Sequence, residues 1–336
     1  MRRAGQLLAV LCVVALVMTL CGCGGSGSPT GRSIDTAAAG GIPGAPDKPP
    51  PEEPEPPAEG EAIVFAGSRA VMMIKPDGTG EFTVAKSGTY PSWSPDGSQI
   101  VFVGYVGNGN KRRTELFIIN ADASGLRQLT DSPEFVENDP DWSPVADQIV
   151  FYGYPAGTSV DLGARDIWVI NADGSGLQNL TNSPGISDSL PTWSPDGTQI
   201  ACNRYDQDAD DSNIWIMNAD GGEPVRLTND QLGVSFFPAW SPDGTKIAFE
   251  SSRDGNFEIY VLNVADAAAG DWGQELNLTN DPATDRQPAW SPDGSKIVLS
   301  SKRGGAYWGY VMNADGTDVQ LIYDGDFYRP DWRAAP

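Results

Sequence analysis

"PAWSPDGTKIAF", residues 238–249, sets a proline, a tryptophan, a second proline and an Asp-Gly pair ahead of an alternating apolar run. In S-P-D-G the proline presets φ near about −65°, Asp favours the next turn position, and Gly accepts the positive φ that closes a tight hairpin. Two short strands must therefore reverse directly into each other. The phrase returns as "PSWSPDGSQIVF" from Pro91, "PDWSPVADQIVF" from Pro140, "PTWSPDGTQIAC" from Pro191 and "PAWSPDGSKIVL" from Pro288, and its first half returns as "PDWRAAP" from Pro330. Trp93, Trp142, Trp193, Trp240, Trp290 and Trp332 recur every 42 to 51 residues. A period of that length without helical patterning belongs to a ring of β-sheets rather than to a helical solenoid.

Each complete unit reads as four short strands, P-x-W, K-I-x-F, I-Y-V-x-N and L-T. A second turn, NADG, follows the third strand at Asn171, Asn218 and Asn313, with NADA at Asn120 and KPDG at Lys75 as variants. Four antiparallel strands make one propeller blade. After Gly60, "AIVF" corresponds to a second strand and "VMMIKPDG" and "FTVA" to a third and fourth, whereas the terminal "RPDWR" supplies only a first strand. Joining the two ends makes a sixth blade and leaves no open edge in the ring. The expected fold is all-β, a six-bladed β-propeller of four-stranded blades over residues 61–333, with 334–336 as a tail. One tryptophan per repeat, at one spacing, reads as a wedge between blades rather than as a ligand platform.

The first residues carry a different signal. "MRRAGQLLAVLCVVALVMTLCGC" has two arginines, then an apolar run from Leu7 to Leu20, then small residues and cysteine. The run falls short of the roughly 20 residues that cross a bilayer, and the layout is that of a secretory signal peptide over 1–22. "LCGC" resembles the bacterial lipobox, which implies that Cys23 becomes a lipidated N-terminus; cleavage without lipidation is the alternative. With Cys12 and Cys21 leaving with the signal, Cys202 is the remaining thiol and no intrachain disulfide is expected. Cys202 stands where sister repeats hold Phe102, Phe151 and Phe249, so it reads as core filler. Residues 23–60 are rich in Gly, Pro and Glu and lack apolar clusters, which makes them a disordered tether.

Composition excludes some partners. The formal net charge is −23, which argues against nucleic acid or anionic lipid as a partner of the folded domain. Lys111, Arg112 and Arg113 form the one basic cluster and read as a solvated loop. Membrane association is expected through the N-terminal lipid alone, and the domain is expected to be a monomer.

The pattern P-x-W-S-P-D-G-x-x-I-x-F … I-Y-V-M-N-A-D-G … L-T resembles the WD40-like (PD40) repeat of TolB-type six-bladed propellers, across the whole repeat region. The resemblance implies a periplasmic or cell-surface protein. TolB propellers bind the peptidoglycan-associated lipoprotein and are exploited by colicins, with partners docking over the channel mouth. TolB itself carries an α/β domain before its propeller, where this chain has a signal and a tether.

The chain contains no histidine, which removes Ser-His-Asp and Cys-His relays and the usual zinc ligand sets. Similar propellers in lyases use histidine ligands, and those in prolyl-oligopeptidase-like enzymes accompany a G-x-S-x-G elbow that does not occur here. Carboxylate-based glycan hydrolysis or lyase action is the third expectation, behind protein or peptide recognition and envelope-glycan binding. No catalytic residue and no cofactor is assigned. "DQDADD" offers Asp206, Asp208 and Asp210 in the alternation of a calcium loop, but an EF-hand would need glycine at Asp211 and glutamate at Met217. A looser Ca²⁺ site is one reading there and a solvated acidic loop the other.

Loop asymmetry points to the binding face. The SPDG and NADG turns are short and share one face, while "VGYVGNGNKRRTE", "GYPAGTSVDLGARD" and "NRYDQDADDSN" are long, dissimilar and opposite. The same face receives the segments entering each inner strand, "SGTYP", "FVENDP", "ISDSLP", "GVSFFP", "TDRQP" and "DFYRP", whose last residues are expected to ring the channel mouth. The candidate ring mixes Tyr90, Phe236, Phe237 and Tyr328 with Asp139, Asp188, Asp285, Arg286 and Arg329, anchors among charges that suit a peptide partner or sugar rings. Packing against neighbouring blades is the competing role for these aromatics.

Overall fold

A computed structural model describes residues 60–107, 112–157, 165–229 and 233–333. Cys23, the signal and the tether lie outside these residues. The repeated hairpin chemistry is visible in every S-P-D-G turn. In the first, Ser94 Oγ donates to Asp96 Oδ1 at 2.7 Å and accepts the Gln99 N–H at 2.9 Å, while Asp96 Oδ1 accepts the Ser98 N–H at 3.0 Å. Gly97 supplies a φ of +66°. Ser194 with Asp196, Ser241 with Asp243 and Ser291 with Asp293 repeat the staple. Serine and backbone donors hold these carboxyls below the usual carboxylate range, to about 2 at Asp243 and Asp293.

Six four-stranded antiparallel sheets follow. Blade 1 comprises β4 (Thr89–Trp93), β5 (Gln99–Val106), β6 (Arg113–Asn120) and β7 (Arg127–Gln128). Blade 2 comprises β8 (Phe135–Trp142), β9 (Gln148–Pro155), β10 (Asp166–Asn171) and β11 (Gln178–Asn179). Blade 3 is built from β12 (Ile186–Trp193), β13 (Gln199–Asp206), β14 (Asp211–Asn218) and β15 (Val225–Arg226). Blade 4 has β16 (Ser235–Trp240), β17 (Lys246–Ser251), β18 (Glu258–Asn263) and β19 (Leu276–Asn277), and blade 5 has β20 (Asp285–Trp290), β21 (Lys296–Ser301), β22 (Trp308–Asn313) and β23 (Gln320–Tyr323). Blade 6 joins β24 (Tyr328–Arg333) from the C-terminal end to β1 (Ala62–Ala66), β2 (Val71–Ile74) and β3 (Phe82–Ala85). The β24–β1 register pairs Trp332 with Ile63 and Asp331 with Val64, so the ring closes as the repeat pattern requires.

Tryptophan is the wedge. Trp142 packs on Val101, Val103, Leu116 and Ile118 of blade 1 and on Ile149 and Phe151 of its own blade. Trp93, Trp193, Trp290 and Trp332 occupy the same inter-blade position and are likewise buried. Cys202 is a free thiol in the core between blades 2 and 3, and burial pushes its pKa far up, which makes it packing rather than chemistry.

Three details depart from the sequence reading. In blades 1–4 the outer strand is the pair of residues before L-T, not L-T itself. Leu227 and Leu278 turn inward and are buried, and the threonine ends the ladder by accepting a third-strand N–H. Thr130, Thr181, Thr228 and Thr279 accept from Leu116, Ile167, Ile214 and Ile259 at 2.9 to 3.0 Å. Blade 4 lacks NADG, and a short helix, α1 (Val264–Ala268), takes its place, capped by the Asn263 side chain accepting from Ala265 and Asp266. Finally, parts of the long loops are strand: β13 and β14 stay paired out to Asp206 and Asp211, and β5 and β6 out to Val106 and Arg113.

Candidate recognition site at the channel mouth

Each inner strand enters from the long-loop face and carries a bulge just before its second half. The residue preceding the proline of P-x-W is left-handed in all six blades: Tyr90, Asp139, Leu190, Phe237, Gln287 and Arg329 have φ between +48° and +56°. A residue before proline is normally extended, and left-handed non-glycine residues cost about 1–3 kcal/mol each. The register shifts at the same place in each blade, for example between Asn138 and Asp141 and between Arg286 and Ala289. Bulges re-aim side chains, and here they turn six unlike side chains onto one ring around the channel.

Arg329 draws that ring together. Its Nη1 lies 2.9 Å from Asp139 Oδ1 in blade 2, and its guanidinium sits 3.7 Å from the Phe237 ring centroid in blade 4 and 4.9 Å from that of Tyr90 in blade 1. Its N–H donates to Gln287 Oε1 in blade 5 at 3.0 Å. A side chain rooted in blade 6 that touches blades 1, 2 and 4 must lie across the channel axis. Burial raises the Asp139 carboxyl while Arg329 and Arg165 pull it back down. Leu190 packs into the apolar core between blades 2 and 3.

The other candidate residues are placed differently. Asp188 is fully buried in a two-pronged pair with Arg204, Nε at 2.7 Å and Nη2 at 3.0 Å. Asp285 is held by Arg303 Nη2 at 2.8 Å, and burial leaves its carboxyl raised to about 6. Arg286 is buried and pairs with Glu250 at 2.7 Å. Phe236 is buried beside Phe257, with centroids 6.5 Å apart. Tyr328 is half-buried against Tyr307, 5.5 Å away. Tyr90, Asp139, Phe237 and Arg329 therefore meet at the mouth, whereas Asp188, Asp285 and Arg286 serve as buried ion pairs in the blades. Asp206 accepts the N–H groups of Asp208 and Ala209, and Asp210 accepts the Tyr205 hydroxyl. Among the described residues no three ligating side chains converge on a metal-sized site.

The channel holds a cavity of about 400 Å³ lined by the ring residues and by the P-x-W-S-P segments. Three residues at the x position form a relay that sequence reading did not single out. Asp331 accepts the Trp93 N–H at 2.8 Å, Ser92 accepts the Trp142 N–H at 3.1 Å, and Asp141 accepts the Trp193 N–H at 2.7 Å and the Ser92 hydroxyl at 3.1 Å. Each side chain thus takes the backbone donor of the next blade's tryptophan. Burial first, and then the charge of Asp331, push Asp141 up to about 7. The available signal was the polar x residue in four of the six phrases, Ser92, Asp141, Thr192 and Asp331, set beside Ala239 and Ala289 in the other two.

The sequence profile of the TolB beta propeller domain family matches residues 70–231, 167–272 and 229–335. No curated protein matches the sequence. Among solved structures, TolB from Acinetobacter baumannii superposes with a TM-score of 0.64 at 20% identity, covering 82% of this chain and 66% of that one. The putative TolB from Agrobacterium tumefaciens gives 0.60 at 21% identity, covering 83% and 99%. An oligogalacturonate lyase in complex with manganese gives 0.53 at 19% identity, covering 77% and 74%. At these identities the likeness is one of fold, and enzymes and TolB proteins share it.

Proposed function

Because the chain belongs to the TolB beta propeller domain family, we propose that it is a non-enzymatic recognition module that receives a protein or peptide of the cell envelope at the long-loop mouth of its channel. The observation that carries this reading is the ring of six left-handed residues. Six of the twelve left-handed non-glycine residues among the described residues fall at this one position, one in each blade, and backbone strain gathers at binding sites. Aromatic faces beside an arginine–carboxylate pair fit a peptide better than a small apolar ligand. The lipoprotein-type signal read from the sequence supports an exported domain, tethered through Cys23.

Capture from envelope extract by the purified domain, compared with its Tyr328→Ala variant, tests this reading. A defined envelope protein retained by wild type and lost by the variant supports it. Retention of polysaccharide alone on a glycan array, abolished by the same variant, moves the assignment to glycan binding, and turnover of that polysaccharide overturns the non-enzymatic reading. Cys23→Ser should release the protein from membranes without unfolding it; continued retention contradicts the anchor.

A further inference from the structure

One position in each blade lies three residues before the proline of P-x-W, and it is filled by Gly88, Glu137, Asp188, Ser235, Asp285 and Phe327. Two of its three acids are answered by an arginine of their own blade. Asp188 stands opposite Arg204 in the β12–β13 register and pairs with it at 2.7 Å, and Asp285 is held by Arg303 at 2.8 Å. Glu137 stands opposite Gly153 instead, where the Phe135 ring leaves no room for a side chain. Glu137 is 1% exposed. Arg113 across the seam is engaged with Glu115 at 2.5 Å and Asp131 at 2.7 Å, and Arg329 with Asp139.

What Glu137 meets is a second buried carboxyl. Thr130 Oγ1 accepts the Leu116 N–H at 2.9 Å and touches both Glu115 Oε2, at 3.0 Å, and Glu137 Oε2. A hydroxyl has one proton to donate, so it serves one carboxyl, and the other must bring a proton of its own. Burial, eased by Thr130, and then the charge of Glu115 put that proton on Glu137, whose carboxyl is raised to about 7. β8 packs as well against β4, β5, β9 and β12. Those strands carry Tyr90, Tyr105, Tyr152, Tyr154 and Asp188, and none of these is a cation. Burial raises the hydroxyls of Tyr90, Tyr152 and Tyr154, while Arg165, just before β10, acts on Asp139.

We propose that Glu137, Glu115 and Thr130 form a proton-operated latch between blades 1 and 2. With one proton in the pair, the hydroxyl bridges the seam. When that proton leaves to water, two buried carboxylates repel and the entering half of β8 is released from β6. Asp139 lies two residues further along β8, so release also slackens its hold on Arg329 at the channel mouth. A carboxyl raised in the folded state stabilises it fully in acid and loses that contribution as pH rises through the folded value, so the latch is closed in acid and opens above neutral pH. It operates whether or not a partner docks at that mouth.

Amide hydrogen exchange of the full chain, corrected for the intrinsic effect of pH, tests the latch. The N–H groups of Leu116, Ser132 and Glu137 donate to Thr130, Glu115 and Thr114 across the seam, and their protection should fall about tenfold between about pH 6 and 8. Ile259 and Asp281, which donate to Thr279 and Glu258 in blade 4, should stay level. Glu137→Gln keeps the shape and cannot ionise, so protection in that variant should hold its acid value across the same range. Asp141 titrates in both proteins, and the difference between them therefore belongs to Glu137. Level protection at the three seam amides in wild type, an equal fall at Ile259 and Asp281, or an undiminished fall in Glu137→Gln overturns the proposal. Where the variant does not fold, the side-chain carboxyl resonance of Glu137 in wild type decides: a titration midpoint between about pH 6 and 8 supports the latch, and one outside that range overturns it.

Discussion

Arg329 on β24 and Asp139 on β8 form an ion pair at 2.9 Å that spans the channel between blades 6 and 2. Both side chains are almost wholly buried, so each relies on the other to offset the cost of burying its charge. Removing one leaves the partner uncompensated, and Arg329→Ala should cost about 3 kcal/mol. Arg329→Met with Asp139→Asn should cost less than the sum of the single changes, with a coupling above about 1 kcal/mol in denaturant unfolding. Additive effects would mean that the pair does not hold the mouth.

The tryptophan wedge gives a second expectation. Trp142→Ala opens a cavity between blades 1 and 2 and should destabilise by about 3–5 kcal/mol. Leu177→Ser, at a side chain 52% exposed on the outer rim, should stay within about 0.5 kcal/mol. Chemical denaturation of both variants checks the contrast.

Titration of the channel carboxylates sets a pH dependence with a definite sign. The folded pKa of Asp141 is raised to about 7, so the native state holds a proton that the unfolded chain releases between about pH 4 and 7. Stability from this group is full at acid pH and is lost as pH rises through that window. Glu137, buried beside Glu115 between blades 1 and 2 and raised to about 7, adds in the same direction. Asp141→Asn mimics the protonated form and keeps an acceptor for the Trp193 N–H. It should flatten the decline between pH 5 and 8 by about 1–3 kcal/mol relative to wild type. An unchanged slope in unfolding experiments contradicts the assignment.

Closure of blade 6 can be tested by shortening the chain. Ending it at residue 327 removes β24, uncovers the hydrogen-bonding edge of β1 and strips Trp332 from the core it shares with Ile63 and Phe65. The shortened protein should lose its cooperative melt and associate through the bare edge, as followed by calorimetry and size-exclusion chromatography. A monomer with a wild-type melting transition would mean that the ring does not depend on the shared sheet.

Much of this architecture was legible because turn residues report φ directly. Pro95, Asp96 and Gly97 announce a hairpin, and the recurring tryptophan announces the wedge. Blade count followed from asking which strands the two ends lacked. The channel mouth was half legible: the position before each proline was placed on the ring, but Tyr90, Leu190 and Gln287 share no side-chain chemistry that marks a left-handed backbone. Asp188, Asp285 and Arg286 looked like binding residues because charges at a loop end are normally solvated. Their partners Arg204 and Glu250 lie on other strands and Arg303 in the turn after β21, and no spacing rule connects them. The helix at Asn263 escaped because its missing NADG was one absence among many regular turns.

The central claim is that recognition belongs to the long-loop mouth and scaffold to the short-turn face. Photo-cross-linking residues placed one at a time at Gln207 and Tyr328 on the first face, and at Thr198 on the second, separate the two in envelope extract. The account predicts one defined adduct from Gln207 or Tyr328 and none from Thr198. An adduct from Thr198 with none from the mouth positions would contradict it.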